Sequence, residues 1–209
     1  MPDLHSLLLF VAAGLALNLT PGPDMLYVAA RSASEGRAAG VASAFGIAAG
    51  TLVHIALVAG GLAALLAAVP IAYTIVRLAG AGYLVWLGAR ALLRPSGIAR
   101  ERTLAPATRW EVFRQGVVTN VLNPKVALFF LAFLPQFVDP ARGSAALQVL
   151  ALGLLFNTTG TLVNLAVALG ASGAASRLRR SGSAARALER VTGVLFIGLG
   201  VRLALAGRR

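Results

Sequence analysis

Apolar residues in this chain come in long, nearly unbroken blocks separated by short polar stretches. The blocks run from Leu4 to Ala30, Val41 to Leu66, Ile71 to Leu93, Gly116 to Phe137, Ala145 to Gly170 and Arg190 to Leu205. A helix needs about 20 apolar residues to cross roughly 30 Å of hydrocarbon, and blocks of this kind read as transmembrane helices rather than as core helices of a soluble domain. The pattern predicts an all-α integral membrane protein with six transmembrane helices and no soluble domain.

Composition sharpens the picture. The chain has 209 residues, 58% of them hydrophobic and only 12% charged, against about half and about a quarter in soluble domains. The absence of cysteine removes disulfides and thiolate metal sites from consideration. The opening MPDLHSLLLF has no basic n-region and runs into a longer apolar block, so it reads as a retained first helix and not as a cleaved leader.

A net charge of +12 would suggest nucleic acid in a soluble protein, but here the placement of the arginines is what matters. They crowd the loops after the first, third and fifth blocks: Arg31 and Arg37; Arg90, Arg94, Arg100, Arg102, Arg109 and Arg114; Arg177, Arg179, Arg180, Arg186 and Arg190. Basic loops stay on the cytoplasmic side, which puts both termini outside. The same basic linker can touch anionic lipid, so the expected surroundings are a lipid bilayer and no nucleic acid.

Three blocks lie on each side of the polar linker 94–115, and halves with an odd number of spans can repeat only if they are inserted upside down relative to each other. Residues 1–93 and 116–209 are the two candidate repeats. Gly50–Gly60, GTLVHIALVAG, aligns with Gly160–Gly170, GTLVNLAVALG, with six identities in eleven positions. The third block ends LGARALL and the sixth LGVRLAL, which pairs Arg90 with Arg202. The first and fourth blocks then correspond, and Thr20-Pro21 in NLTPGPDML falls over Asn123-Pro124 in NVLNPKVALFF.

Proline inside a helix removes a donor and clashes with the preceding turn, yet it suits the first helical position after a Thr or Asn cap. The first and fourth spans therefore read as pairs of half-helices hinged at Pro21, Gly22, Pro23 and Pro124. The breaks lie roughly 12 to 14 Å into their spans, near the middle of the bilayer. Irregular backbone at that depth must be buried in protein or face a polar cavity, so the two breaks are expected to face each other across a polar centre. Half-helix N-termini there offer free N–H groups to an anion.

The candidate binding residues follow from this centre. Asp24 sits just past the first break, where a carboxylate costs about 2.5 to 3.5 kcal/mol to insert; it can balance the helix dipole, or it can take a substrate ammonium or a proton. Lys125 follows the second break and can neutralise Asp24, snorkel, or receive a carboxylate. Asn18, Thr20, Asn120 and Asn123 surround the breaks as caps or polar contacts. His54 and Asn164 occupy matching repeat positions, and His54 continues a row of small residues, Ala42, Gly46 and Gly50, suited to close helix contact. Either a packing role or a proton relay fits His54. The small-residue faces would serve a homodimer as readily as a monomer.

At TPGPD together with NPKVALFFLAFLPQFV, Asn123–Val138, the chain resembles the lysine and homoserine/threonine exporters, the LysE/RhtB type of translocator, over essentially its whole length. The residues that match the family's motifs are Thr20, Pro21, Gly22, Pro23, Asn123, Pro124 and Lys125. The resemblance implies a bacterial inner-membrane carrier that expels amino acids or close derivatives, typically driven by the proton gradient, with no cofactor. A zwitterion fits such a centre, with its ammonium on Asp24 and its carboxylate on a half-helix N-terminus or Lys125.

Rival functions find less support in the residues. A metal-ion exporter of the wider superfamily would want several carboxylate, histidine or thiolate ligands, and away from their ends the spans hold one carboxylate, Asp24, and one histidine, His54. No GxSxG elbow, HExxH pair or aspartate dyad points to a membrane enzyme.

Overall fold

The computed structural model describes residues 3–62, 70–93, 106–170 and 182–205. Much of the predicted linker, residues 63–66 of the second predicted span and Arg177, Arg179 and Arg180 lie outside the described residues. Every regular element described is helical, and the elements are α1 (Leu4–Leu19), α2 (Pro23–Glu35), α3 (Arg37–Leu57), α4 (Pro70–Leu93), α5 (Arg109–Val121), α6 (Pro124–Leu128), α7 (Ala145–Gly170) and α8 (Gly182–Leu205). A π turn over Val58–Leu62 extends α3, and α6 continues through Phe129–Phe133 and Leu134–Phe137 in π and 3₁₀ geometry.

Among the described residues two helices, Arg37–Gly61 and Ala145–Gly170, are by themselves long and apolar enough to cross a membrane. Two further segments reach that length only as bent pairs: Leu4–Leu19 with Pro23–Glu35, at 46°, and Arg109–Val121 with Pro124–Phe137, at 47°. The count is thus two candidate spans, or up to four if each bent pair is one span.

Both bends fall at the predicted proline motifs, with a correction to the first. At the second break Asn123 is the N-cap, its side chain accepting from the Lys125 N–H, and Pro124 opens the helix. At the first break the proline that opens α2 is Pro23, not Pro21, and its cap is Gly22, which has no side chain to offer. Thr20 caps nothing downstream; it ends α1, and its hydroxyl donates to the carbonyl of Ala16 at 2.6 Å. A second proline two residues on supplied a better N1 position, and Thr20 took the i−4 back-bond open to it.

Other boundaries have local causes. Asp3 caps α1 by accepting from the Ser6 N–H at 2.9 Å, which holds its carboxyl below the ordinary range. Helix α5 begins at Arg109, inside the stretch read as linker, because Thr108 and Glu111 form a reciprocal capping box. Gly36, at φ 86°, ends α2 and starts α3 in one residue, a conformation open to glycine and strained for others.

Packing follows the small residues. Helices α3 and α5 approach so closely that a Cβ at Gly46 would collide with the carbonyl of Phe113, and one at Gly116 would lie 2.8 Å from the Ser43 oxygen. The predicted small-residue row on α3 is this contact, made within the chain. Helices α4 and α8 pair through Gly88 and Gly193 in the same way. The main apolar core gathers Phe10, Phe129, Phe130, Phe133, Phe137 and Phe156, with the Phe129 and Phe156 rings 4.5 Å apart. Outward faces remain apolar: Leu8, Leu52, Leu57, Leu154 and Leu162 are all exposed, as expected of surfaces that meet lipid.

Candidate functional site

The two breaks come together, and what holds them is a set of buried polar groups. The Lys125 ammonium, on the first turn of α6, donates to the carbonyl of Leu17 at 3.0 Å and of Thr20 at 2.9 Å. These carbonyls end α1 and carry the negative pole of its dipole, so a cation there is well placed. Gly22 makes room for it: a Cβ at this position would lie 3.0 Å from Lys125 Nζ.

Asp24 stands on the opposite pole, in the first turn of α2. Its Oδ2 accepts from the Asn120 amide at 2.8 Å, while the buried Oδ1 makes no well-formed hydrogen bond, the Asn123 side-chain amide being the other neutral donor near the carboxylate. Asp24 and Lys125 therefore share a neighbourhood without forming an ion pair. Each is tied to the other broken helix by a neutral group, Asp24 to Asn120 at the end of α5 and Lys125 to the end of α1.

A small polar cavity opens beside Asp24. Its volume is about 20 Å³, room for a water molecule and far short of an amino acid. Asn18, Asp24, Thr51, Asn120, Asn157, Thr161 and Asn164 supply its polar wall, with Ile47, Val126 and Phe156 between them. Asn18 is held in place by donating to the Phe156 carbonyl at 3.3 Å and to the Thr159 hydroxyl at 3.1 Å. Thr51 donates to the Ile47 carbonyl and approaches Asn120 Oδ1 at 3.3 Å.

Of the predicted residues, Asp24, Asn18, Asn120 and Asn164 line this cavity. Lys125, Thr20 and Asn123 form the crossing of the breaks beneath it, and the buried Asn123 Nδ2 makes no well-formed hydrogen bond. His54 does not line the cavity: its ring stacks on Phe130 at 5.8 Å and its Nε2 lies 3.2 Å from the Asn120 carbonyl. Sequence reasoning passed over Thr51, Asn157 and Thr161. For the two on α7 a signal was present, because Asn157, Thr161 and Asn164 are spaced i, i+4, i+7 and make one polar stripe on a helix whose other polar residues are Gln148, Thr158 and Thr159.

A second cluster fastens the far end of α2. The Tyr27 hydroxyl donates to the Val112 carbonyl at 2.9 Å, and Arg31 donates to Gln115 Oε1 at 2.7 Å while pairing with Glu35. Glu35 also accepts from the backbone of Ala107, and Ser32 donates to the Ala168 carbonyl at 2.5 Å. Among the described residues no three His, Cys, Asp or Glu side chains come together as a metal site.

Apolar helices of membrane-crossing length and bent pairs of half-helices, closed around a buried carboxylate and an ammonium, define an α-helical membrane protein with a polar centre. Residues 15–207 match the family described as LysE type translocator, and the chain belongs to that family. An uncharacterized membrane protein of Pseudomonas aeruginosa is 37% identical over 208 residues, covering 94% of each chain. The homoserine/homoserine lactone efflux protein of Salmonella typhimurium is 32% identical, over 94% of this chain and 95% of its own. The leucine efflux protein of the same organism is 27% identical over 93% and 92%. No solved structure matches the chain.

Proposed function

We propose that the protein is a secondary transporter that exports amino acids or close derivatives across the bacterial inner membrane, in exchange for protons. Family membership and the two relatives named for efflux of homoserine, its lactone and leucine support the class. The single observation that carries the site is the buried Asp24 carboxylate at the edge of a polar cavity, with one oxygen on Asn120 and the other lacking a well-formed hydrogen bond. Such a carboxylate oxygen in an apolar bundle is costly unless something visits it. A substrate ammonium and a proton are the visitors its chemistry suits.

In this reading the chain has six spans in two inverted repeats, residues 1–93 and 116–209, joined by the linker 94–115, with both termini outside. The paired breaks at Gly22-Pro23 and Asn123-Pro124, the near-equal bends and the arginine distribution support it. The cavity of about 20 Å³ is too small for cargo, which corresponds to a closed stage of alternating access. Opening requires one half-helix to swing, and α2 is suited to that: its apolar anchorage is the small cluster of Val28 with Ala44, Ile47 and Ala168, and its far end is held by hydrogen bonds of Tyr27, Arg31 and Ser32. The small-residue contacts at Gly46, Gly116, Gly88 and Gly193 are made within the chain, whereas a Cβ at Gly82 or Gly198 would meet no neighbouring atom within 4 Å.

Counterflow in proteoliposomes tests the proposal. Vesicles preloaded with unlabelled leucine or homoserine should transiently accumulate the labelled compound, and an imposed proton gradient should drive net movement. Protein that accumulates neither a proteinogenic amino acid nor homoserine above empty vesicles removes the export reading.

A further inference from the structure

The cavity wall carries a feature that bears on which molecules the site accepts. Its one charged side chain is Asp24; the rest of the polar wall is amide and hydroxyl from Asn18, Thr51, Asn120, Asn157, Thr161 and Asn164. The one buried ammonium nearby, Lys125, is absent from that wall and bonded to two carbonyls. Resting on the export reading, we propose that the site makes its one ionic contact with the ammonium of the cargo. Asp24 takes the ammonium, and the neutral stripe Asn157, Thr161 and Asn164 takes the other end, whether that end is a free carboxylate, an amide or an ester.

Asp24 is 8% exposed, its Oδ1 lacks a well-formed hydrogen bond, and it borders the cavity; an ammonium donates to such an oxygen with a charge-assisted bond. Asn164, likewise 8% exposed, and Asn157 lie on α7 and line the same cavity. A primary amide both donates and accepts, so it pairs with a carboxylate, a carboxamide or an ester carbonyl, whereas an ammonium can only donate and favours the anion. Releasing Lys125 to meet a carboxylate would strip the Thr20 carbonyl of its donor inside the bundle and leave the Leu17 carbonyl only the Thr20 N–H. Leaving a buried polar group unmade costs about 1 to 3 kcal/mol. The geometry thus favours a neutral reader over a cationic one.

This predicts primary amines with a polar second group as the ligand class: amino acids together with their carboxyl-masked derivatives. The test is competition during leucine or homoserine counterflow by reconstituted wild-type protein, at a pH where every amine is protonated. Leucinamide and leucine methyl ester should compete within about tenfold of leucine, while N-acetylleucine, which keeps the carboxylate and lacks the ammonium, should not compete. Were the carboxylate held by a cation, the masked forms would weaken by about 10- to 150-fold, the worth of one charged hydrogen bond. That result, or competition by N-acetylleucine, overturns the proposal while leaving export standing. Asn157→Ala should weaken leucine and leucinamide alike; selective loss of leucine would place the carboxylate reader there and also overturn it. Failure of every amino acid to counterflow overturns this inference together with the export reading.

Discussion

The Lys125 ammonium donates to the Thr20 carbonyl at 2.9 Å, so a residue in the first turn of one half-helix closes the end of another. This cross-tie explains how two interrupted spans coexist in an apolar bundle: the carbonyls freed by the first break find their donor in the second.

Removing that donor should loosen the crossing. Lys125→Met leaves the Thr20 carbonyl without its donor, at about 1 to 3 kcal/mol, and leaves the Leu17 carbonyl only the Thr20 N–H at 3.2 Å. The expected outcome is a clear fall in the thermal unfolding midpoint of detergent-purified protein, with Lys125→Arg falling less. An unchanged midpoint would mean that the cross-tie does not support the fold.

Asp24→Asn keeps the shape and the bond to Asn120 but deletes the charge. Insertion and thermal stability should be retained while efflux falls to background, measured as export of preloaded label from cells and as counterflow in vesicles. A variant that transports at the wild-type rate would take Asp24 out of the mechanism.

Close approach of α3 to α5 depends on the missing side chain at position 46. Gly46→Val drives a Cβ into the Phe113 carbonyl, a backbone atom that cannot rotate away, and overpacking of this kind costs about 1 to 3 kcal/mol or more. The yield of monodisperse protein in size-exclusion chromatography should drop sharply. Gly60→Ala, where no atom lies within 4 Å of the added carbon, should behave as wild type.

If α2 is the moving half-helix, tethering its far end should stop transport. The chain has no cysteine, so a pair introduced as Ser32→Cys and Ala168→Cys, where Ser32 bonds the Ala168 carbonyl, can be bridged without interference. Bridging by an oxidant or a bifunctional thiol reagent should abolish counterflow, and reduction of the oxidised pair should restore it. Full activity of the bridged protein would show that α2 stays fixed during the cycle.

The sequence by itself determined the helical, membrane-crossing character, the positions of both breaks and the polar residues around them. Those properties are local: block length sets whether a segment can span a bilayer, and proline acts on its own turn. Asn123-Pro124 was readable as cap and first helical residue because both interactions lie within two positions of chain. The capping box at Thr108 and Glu111 was readable for the same reason, although the linker's polarity concealed it. The first break was half legible, since TPGP offers two prolines and only the packed backbone chose Pro23.

Only the tertiary structure decided who partners whom. Sequence symmetry suggested that Asp24 faces Lys125; the fold gave Asp24 to Asn120 and Lys125 to the carbonyls of α1, because a buried ammonium needs several acceptors and the end of a broken helix supplies them. The same holds for His54, seated on Phe130 and the Asn120 carbonyl, and for Asn157 and Thr161, whose stripe gained meaning once α7 was placed against α1 and α3. Buried polar groups are satisfied by whatever the packing brings within about 3 Å, and that is a property of the assembled helices, not of any one stretch of chain.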